Sequence, residues 1–207
     1  MPTAIKFCGL TRAQDVDAAV ALGVDAVGFV LVRSSPRFIS LELAAIIRRR
    51  LPASVRAVAL FRNSTETEVQ EALDAMQPNL LQFHGEESPE FAGRFGVPYW
   101  RAVPMAGVPD LEAWAKRFAG AEALLLDSHS PGGDGGTGRR FDWSGVPRVT
   151  KAVVLAGGLT PENVVAAIRA VKPAVVDVSS GIESAPGIKD RSKMEQFVKH
   201  VRLADER

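Results

Sequence analysis

The feature that most constrains this chain is a series of eight short apolar runs, each followed by turn residues. The runs lie at 5–9, 26–30, 55–61, 80–83, 99–103, 123–127, 152–156 and 175–178. Segments with helical periodicity separate most of them, as expected of βα units around a parallel sheet. The runs are almost continuously apolar, which is typical of strands covered on both faces. Eight such units predict a (β/α)8 TIM barrel, whereas a doubly wound open sheet rarely needs eight units in a chain of this length.

Several helix starts are marked by residues that cap helices. Ser40 precedes the second helical segment, and Ser88-Pro89 and Thr160-Pro161 each put a cap before a first-turn proline. Thr11 with Gln14 has the spacing of a capping box. We therefore expect helices to begin close to each of these residues.

Length and charge restrict the class of protein. The 207 residues are cramped for two domains, so we expect one barrel domain over residues 1–207. A net charge of +1 argues against a nucleic-acid binder, and no apolar run approaches the roughly 20 residues that span a bilayer. The single cysteine cannot form an intramolecular disulfide, and the N-terminus does not resemble a signal peptide, so a cytoplasmic setting is expected. The oligomeric state cannot be read from the sequence.

The predicted strand ends carry residues suited to binding a phosphorylated small molecule. Active sites of such barrels lie at the carboxyl ends of the strands, and phosphate is commonly held after strands seven and eight. Gly157-Gly158 follows the seventh run and Ser179-Ser180-Gly181 follows the eighth. Glycine backbone and serine hydroxyls can approach a phosphate closely. Each turn taken alone is more typical of a helix cap, and it is their joint occurrence after strands seven and eight that predicts a phosphate site.

Two further strand ends carry groups that can transfer protons. Cys8 ends the first strand, and a thiol of pKa about 8.5 is roughly 10% thiolate at pH 7.5, enough for a base. Lys6 lies on the same strand face and either lowers the pKa of Cys8 or pairs with Asp177 of the eighth strand. Asp127 follows an apolar run that would raise its carboxyl pKa and suit a general acid. A buried structural cysteine and a loop-fixing aspartate are the alternatives.

Two more polar residues follow strands two and four. Arg37 can grip a carboxylate in bidentate fashion, and His84 can orient a substrate. The alternatives are a surface charge for Arg37 and a backbone hydrogen bond for His84. Neither residue alone identifies a ligand.

Seven stretches of the sequence, in order, resemble the phosphoribosylanthranilate isomerases of tryptophan biosynthesis, and the similarity covers nearly the whole chain. They are 6–11, 28–30 with 35–37, 81–85, 125–127, 135–138 with 141–143, 155–159 with 161–164, and 177–183. The resemblance implies an Amadori rearrangement of N-(5'-phosphoribosyl)anthranilate to 1-(2-carboxyphenylamino)-1-deoxyribulose 5-phosphate.

The same resemblance implies roles for the strand-end residues. Asp127 would protonate the furanose oxygen, Cys8 would remove the C2' proton, and Arg37 would hold the anthranilate carboxylate. A cationic imine acidifies the adjacent C–H bond, so neither a metal nor another cofactor is expected. The alternatives are a histidine-pathway aminoaldose isomerase, which would have aspartate at the position of Cys8, and a non-catalytic barrel that binds phosphometabolites.

Overall fold

Eight parallel strands form a closed barrel in the computed structural model, which describes residues 2–107, 109–128 and 141–206. Each strand pairs with the next along the chain, and β8 pairs with β1. The predicted barrel is therefore confirmed. The barrel strands are β1 Ala4–Cys8, β2 Ala26–Val30, β3 Arg56–Phe61, β4 Leu80–Phe83, β5 Tyr99–Pro104, β6 Ala123–Asp127, β7 Ala152–Leu155 and β8 Val175–Val178.

Seven α-helices surround the barrel in the described part of the chain. They are α1 Ala13–Ala21, α2 Leu41–Arg48, α3 Glu66–Met76, α4 Pro89–Gly93, α5 Leu111–Arg117, α6 Val164–Val171 and α7 Arg191–Asp205. Between β6 and β7 the structure describes residue 128 and residues 141–151, and these contain no helix. After β8 comes a 3-10 helix at Ser180–Ile182 and a small antiparallel hairpin, β9 Glu183–Ala185 and β10 Ile188–Lys189. None of these helices combines the length and apolar character that a bilayer crossing requires.

Two of the four predicted helix caps are confirmed. The hydroxyl of Ser40 accepts a hydrogen bond from the Leu43 N–H at 3.3 Å, so it caps α2. The hydroxyl of Ser88 accepts one from the Phe91 N–H at 3.2 Å, and Pro89 is the first residue of α4. Both caps satisfy a first-turn N–H that has no partner within the helix.

The other two predicted caps are absent. The α1 helix begins at Ala13, two residues after Thr11, but its N-cap is Arg12 and has no side-chain capping hydrogen bond. The α6 helix begins at Val164 rather than near Thr160, because the Asn163 side chain accepts a hydrogen bond from the Thr160 N–H at 2.9 Å and holds a turn. At α6 a local contact between side chain and backbone thus replaces the predicted cap.

The barrel is packed by two apolar layers. Inside, side chains from strands β2 to β7 form a cluster that includes Ala26, Val58, Leu80, Trp100 and Leu125, each at most 4% exposed. Outside, a larger cluster fills the space between the strands and the helices. An apolar interior of this kind makes the barrel a packed scaffold for the strand ends.

One ion pair lies inside this apolar interior, where β1 meets β8. Lys6 and Asp177 are register partners in the two strands, and the Lys6 ammonium lies 2.7 Å from a carboxylate oxygen of Asp177. Burial opposes the charged form of Lys6, but the attraction of Asp177 and Cys8 outweighs it, so the pKa of Lys6 is raised. Because removal of either charge leaves the other unpaired and buried, the pair constrains how the barrel closes.

We expect Lys6→Met to lower the free energy of unfolding by about 3–5 kcal/mol, because it leaves the buried Asp177 carboxylate without its partner. The double variant Lys6→Met/Asp177→Leu should recover most of this loss, since no buried charge remains. Urea unfolding measures both. Arg191→Met is the control, because its ion pair with Glu195 is exposed and should contribute less than about 1 kcal/mol. A loss no larger than the control's would contradict a stability role for the pair.

Candidate active site

A pocket opens at the carboxyl ends of the barrel strands and gathers most of the predicted site residues. Of the predicted set, eight residues line it: Cys8, Arg37, His84, Asp127, Gly157, Gly158, Ser179 and Ser180. Gly181 does not line the pocket but lies behind it, against Leu159. Residues far apart in the sequence therefore meet at one mouth, as the barrel topology requires.

Cys8 lies at the end of β1 with its side chain against Gly28 of β2. A Cβ added to Gly28 would lie 2.9 Å from the Cys8 sulfur and 3.2 Å from the Lys6 ammonium, so only glycine leaves room for both groups. Lys6 therefore pairs with Asp177 and also acts on the thiol. Burial raises the pKa of Cys8 above its ordinary value, and the nearby Lys6 charge lowers it by less. The resting thiol is mostly protonated at neutral pH, and its thiolate is a correspondingly stronger base.

Asp127 ends β6 and is 5% exposed. One of its carboxylate oxygens accepts a hydrogen bond from the Ser128 backbone N–H at 2.7 Å, which fixes the side chain at the mouth. A Cβ on Gly157 would lie 2.8 Å from that oxygen, so the glycine of the neighbouring loop gives the carboxyl its space. A fixed carboxyl at the wall of a pocket can donate or accept a proton.

The loops after β7 and β8 meet in direct backbone contact. Gly157 and Gly158 have φ values of +77° and +67°, which side chains rarely tolerate. A Cβ on Gly181 would lie 1.9 Å from the Leu159 carbonyl oxygen, so the two loops can approach this closely only with glycine there. The side chain of Asn163 supports the first loop by donating to the Gly158 carbonyl at 2.9 Å. The result is a wall of close-packed backbone at one side of the pocket.

The Ser179 hydroxyl does not extend freely into this wall. It donates to the backbone carbonyl of Cys8 at 3.0 Å and thereby ties the end of β8 to the end of β1. Ser179 can still offer its backbone to a ligand, whereas the hydroxyl acts as a structural link.

Arg37 lies on the wall of the same pocket and is held by a second carboxylate. Its Nε and Nη2 atoms donate to the two carboxylate oxygens of Glu183, each at 2.8 Å. The side chain passes over Gly9, where an added Cβ would lie 2.7 Å from the Arg37 Cδ. This bidentate pair occupies one edge of the guanidinium and leaves Nη1 on the other edge.

Sequence reasoning missed several residues of the pocket. His84 contacts Gln82, whose amide nitrogen lies 3.2 Å from its Nε2, and Gln82 is fully buried. Val30, Leu60 and Val32 form an apolar patch beside Cys8. A signal was present for Gln82, because an amide within the apolar run of β4 is unusual in a packed barrel. The sequence carried no such signal for the apolar patch, because valine and leucine are as common in a barrel core as in a pocket wall.

Two atoms at the floor of the pocket carry unused hydrogen-bonding capacity. Within the described residues, Asp177 Oδ1 and Gln82 Oε1 have no hydrogen-bond partner, although both are buried and both side chains line the pocket. Buried polar atoms are normally paired, so these two are suited to ligand hydroxyl groups. No group of three or more His, Cys, Asp or Glu side chains in the described ranges is arranged to hold a metal ion.

Comparison with known proteins gives a consistent result. The family model of N-(5'phosphoribosyl)anthranilate (PRA) isomerase matches residues 5–200. The N-(5'-phosphoribosyl)anthranilate isomerase of Stenotrophomonas maltophilia (strain R551-3) is 50% identical over 206 residues, 98% of this chain and 94% of that protein.

Solved structures of phosphoribosyl anthranilate isomerases are also similar to this chain. The phosphoribosyl anthranilate isomerase of Thermotoga maritima is 36% identical with a TM-score of 0.85, covering 97% of this chain and 99% of that one. A phosphoribosyl anthranilate isomerase in complex with reduced 1-(o-carboxyphenylamino)-1-deoxyribulose 5-phosphate is 34% identical with a TM-score of 0.84 and the same coverage.

We expect Gly181→Ala to weaken binding of inorganic phosphate at least about tenfold, or about 1.4 kcal/mol, because the new methyl group forces the two loops apart. Isothermal titration calorimetry with phosphate measures the change. Gly93→Ala is the matched control, since nothing lies within 4 Å of its added Cβ. Equal phosphate affinity in both variants would show that the junction of the two loops does not form the anion site.

Proposed function

The chain belongs to the N-(5'-phosphoribosyl)anthranilate isomerase family, and from this premise we propose that Asp127 and Cys8 are the acid and the base of its reaction. The enzyme converts N-(5'-phosphoribosyl)anthranilate to 1-(2-carboxyphenylamino)-1-deoxyribulose 5-phosphate in tryptophan biosynthesis. The observation that carries the assignment of roles is that a thiol and a carboxyl, at the ends of β1 and β6, line one pocket.

The first step opens the sugar ring. Asp127, as the carboxylic acid, gives its proton to the furanose oxygen while the bond between that oxygen and C1' breaks. The lone pair of the anthranilate nitrogen forms a double bond to C1', which yields a protonated imine. Asp127 is left as the carboxylate, and its hydrogen bond from the Ser128 N–H stabilises the negative charge.

The second step moves the double bond. The Cys8 thiolate removes the proton from C2', and the electron pair of that bond forms a C1'–C2' double bond as the imine nitrogen becomes neutral. The resulting enolamine tautomerises when C1' gains a proton and the hydroxyl on C2' loses one, so the overall reaction neither gains nor loses atoms. The buried thiolate is a strong base for this proton because water solvates it poorly.

The two anionic ends of the substrate need separate contacts. We assign the phosphate to the loops of Gly157-Gly158 and Ser179-Ser180-Gly181, where backbone N–H groups suit an anion. The anthranilate carboxylate goes to the free edge of Arg37, and the aromatic ring to the patch of Val30, Val32 and Leu60. His84 and the floor atoms of Gln82 and Asp177 are available to the ribose hydroxyls.

Three wider features belong to the same proposal. We propose that residues 1–207 act as one catalytic domain, with a phosphorylated small molecule as their ligand. We also propose a reducing, cytoplasmic setting, because a thiol that serves as a base loses that function when it is oxidised.

Removal of either proton-transfer group should lower turnover without a large loss of substrate affinity. We expect Cys8→Ala and Asp127→Asn each to reduce kcat by about 10² to 10⁴, the usual effect of losing a general acid or base. The fluorescence change as N-(5'-phosphoribosyl)anthranilate is consumed measures kcat and KM. Phosphate binding equal to wild type confirms that the variant pocket is intact. Turnover at the wild-type rate in either variant would remove that residue from the mechanism.

The raised pKa of Cys8 should appear in the pH profile of thiol alkylation. The rate at which iodoacetamide alkylates Cys8 follows the thiolate fraction and does not require Asp127 as an acid, so we expect it to rise nearly tenfold per pH unit between about pH 7 and 8. Cys8→Ala is the control, since it removes the reactive thiol. An alkylation rate that is level between pH 7 and 8 would contradict a raised pKa of Cys8.

A further inference from the structure

Two buried charged residues on the hairpin after β8 have no part in the mechanism described so far. Glu183 and Lys189 are 8% and 4% exposed, and neither lines the pocket. Their side chains are directed at residues that do line it. The hairpin therefore supports the pocket from behind.

Glu183 supports Arg37. The two parallel hydrogen bonds, each 2.8 Å long, fix both the position and the plane of the guanidinium. Both hydrogen bonds lie on the Nε and Nη2 edge, and among the described residues Nη1 has no hydrogen-bond partner, so that edge can meet a ligand carboxylate. Burial raises the pKa of Glu183, but the hydrogen bond from Arg37 and the charge of Lys189 outweigh it, so the pKa is lowered and Glu183 stays ionised.

Lys189 connects this pair to the loop after β8. Its ammonium lies 2.7 Å from Glu183 Oε1, 3.1 Å from the Ser179 carbonyl and 3.4 Å from the Ser179 hydroxyl. Three acceptors match the three donors of an ammonium group. Burial lowers the pKa of Lys189, and the contact with Glu183 opposes that change.

The net charge of Arg37, Glu183 and Lys189 favours the binding of a carboxylate. Arg37 and Glu183 alone form a neutral pair, which attracts a second carboxylate weakly. Lys189 adds one positive charge, so the cluster of Arg37, Glu183 and Lys189 has a net charge of +1. A substrate carboxylate therefore meets a positive cluster although Arg37 already binds one carboxylate.

The hairpin is itself held in place on two sides. Thr11 donates to the Gly187 carbonyl at 2.6 Å, and Asp15 accepts from the Lys189 backbone N–H at 3.2 Å. Lys193 of α7 donates to the Glu183 carbonyl at 2.8 Å. Side chains that position a binding group are effective when their own backbone is fixed in this way.

We propose that Glu183 and Lys189 are positioning residues for substrate recognition. Glu183 orients Arg37 toward the anthranilate carboxylate, and Lys189 keeps the cluster positive and joins it to Ser179 beside the phosphate loops. This inference rests on the proposed role of Arg37 in binding the carboxylate.

The test compares two substitutions that change the net charge of the cluster in opposite directions. Glu183→Gln makes the cluster more positive and Lys189→Met makes it neutral. Positioning predicts that both raise KM about tenfold and change kcat by less than about threefold. A simple charge effect instead predicts that Glu183→Gln lowers KM, and that result would overturn the proposal. A purely structural role predicts a lower Tm with unchanged KM, which would also overturn it.

A double-mutant cycle with Arg37→Ala separates this inference from the role of Arg37. If Glu183 acts through Arg37, adding Glu183→Gln to Arg37→Ala raises KM no further. An additive rise in KM would overturn the positioning role alone. If Arg37→Ala leaves KM unchanged, the carboxylate role of Arg37 is wrong and this inference falls with it.

Two further variants complete the design. Arg191→Met, an exposed change close to the hairpin, should leave KM and kcat unchanged. Should Glu183→Gln fail to fold, Glu183→Asp replaces it, because it keeps the net charge of the cluster and shortens the side chain that orients Arg37, so positioning again predicts a raised KM. A folded Lys189→Met variant with wild-type KM would overturn the proposal.

Discussion

The arrangement of the whole site depends on the buried ion pair between Lys6 and Asp177. These residues face each other where the first and last strands meet, so the pair closes the barrel in one register. Because side chains alternate along a strand, the next inward position after Lys6 is Cys8 and the next after Asp177 is Ser179. The same register thus brings the thiol and the phosphate loop to one side of the mouth, where Ser179 donates to the Cys8 carbonyl.

Two groups of charges serve the two tasks of the site. Lys6 and Asp177 lie beside the thiol, and burial raises the pKa of Cys8 by more than the charges of Lys6 and Lys189 lower it, so the thiolate remains a strong base. The cluster of Arg37, Glu183 and Lys189 is positive, and its Arg37 lines the same pocket as the apolar patch, an arrangement suited to an aromatic carboxylate. Lys189 belongs to this cluster and also acts on Cys8, so the two groups are electrostatically coupled.

The strands and the strand-end residues could be predicted from sequence because every βα unit repeats one local pattern, in which a short apolar strand is followed by turn residues at the barrel mouth. All eight predicted strands lie within one residue of the observed bounds, and Cys8, Arg37 and Asp127 line the predicted mouth. The roles of Glu183 and Lys189 could not be predicted, since their contacts with Arg37 and Ser179 depend on how a short hairpin folds back. The start of α6 could not be predicted either, because the Asn163 side chain accepts from the Thr160 N–H and holds a turn ahead of the helix.

A crystal structure of this chain with reduced 1-(2-carboxyphenylamino)-1-deoxyribulose 5-phosphate tests the account most directly. We predict that the phosphate lies about 2.7–3.2 Å from backbone N–H groups of the loops after β7 and β8, and the carboxylate at the same distance from Arg37. C2' should lie beside the Cys8 sulfur, with Asp127 near the sugar oxygen that comes from the ring. A ligand bound in the reverse direction, or with Cys8 and Asp127 both out of reach of the sugar, would contradict the account.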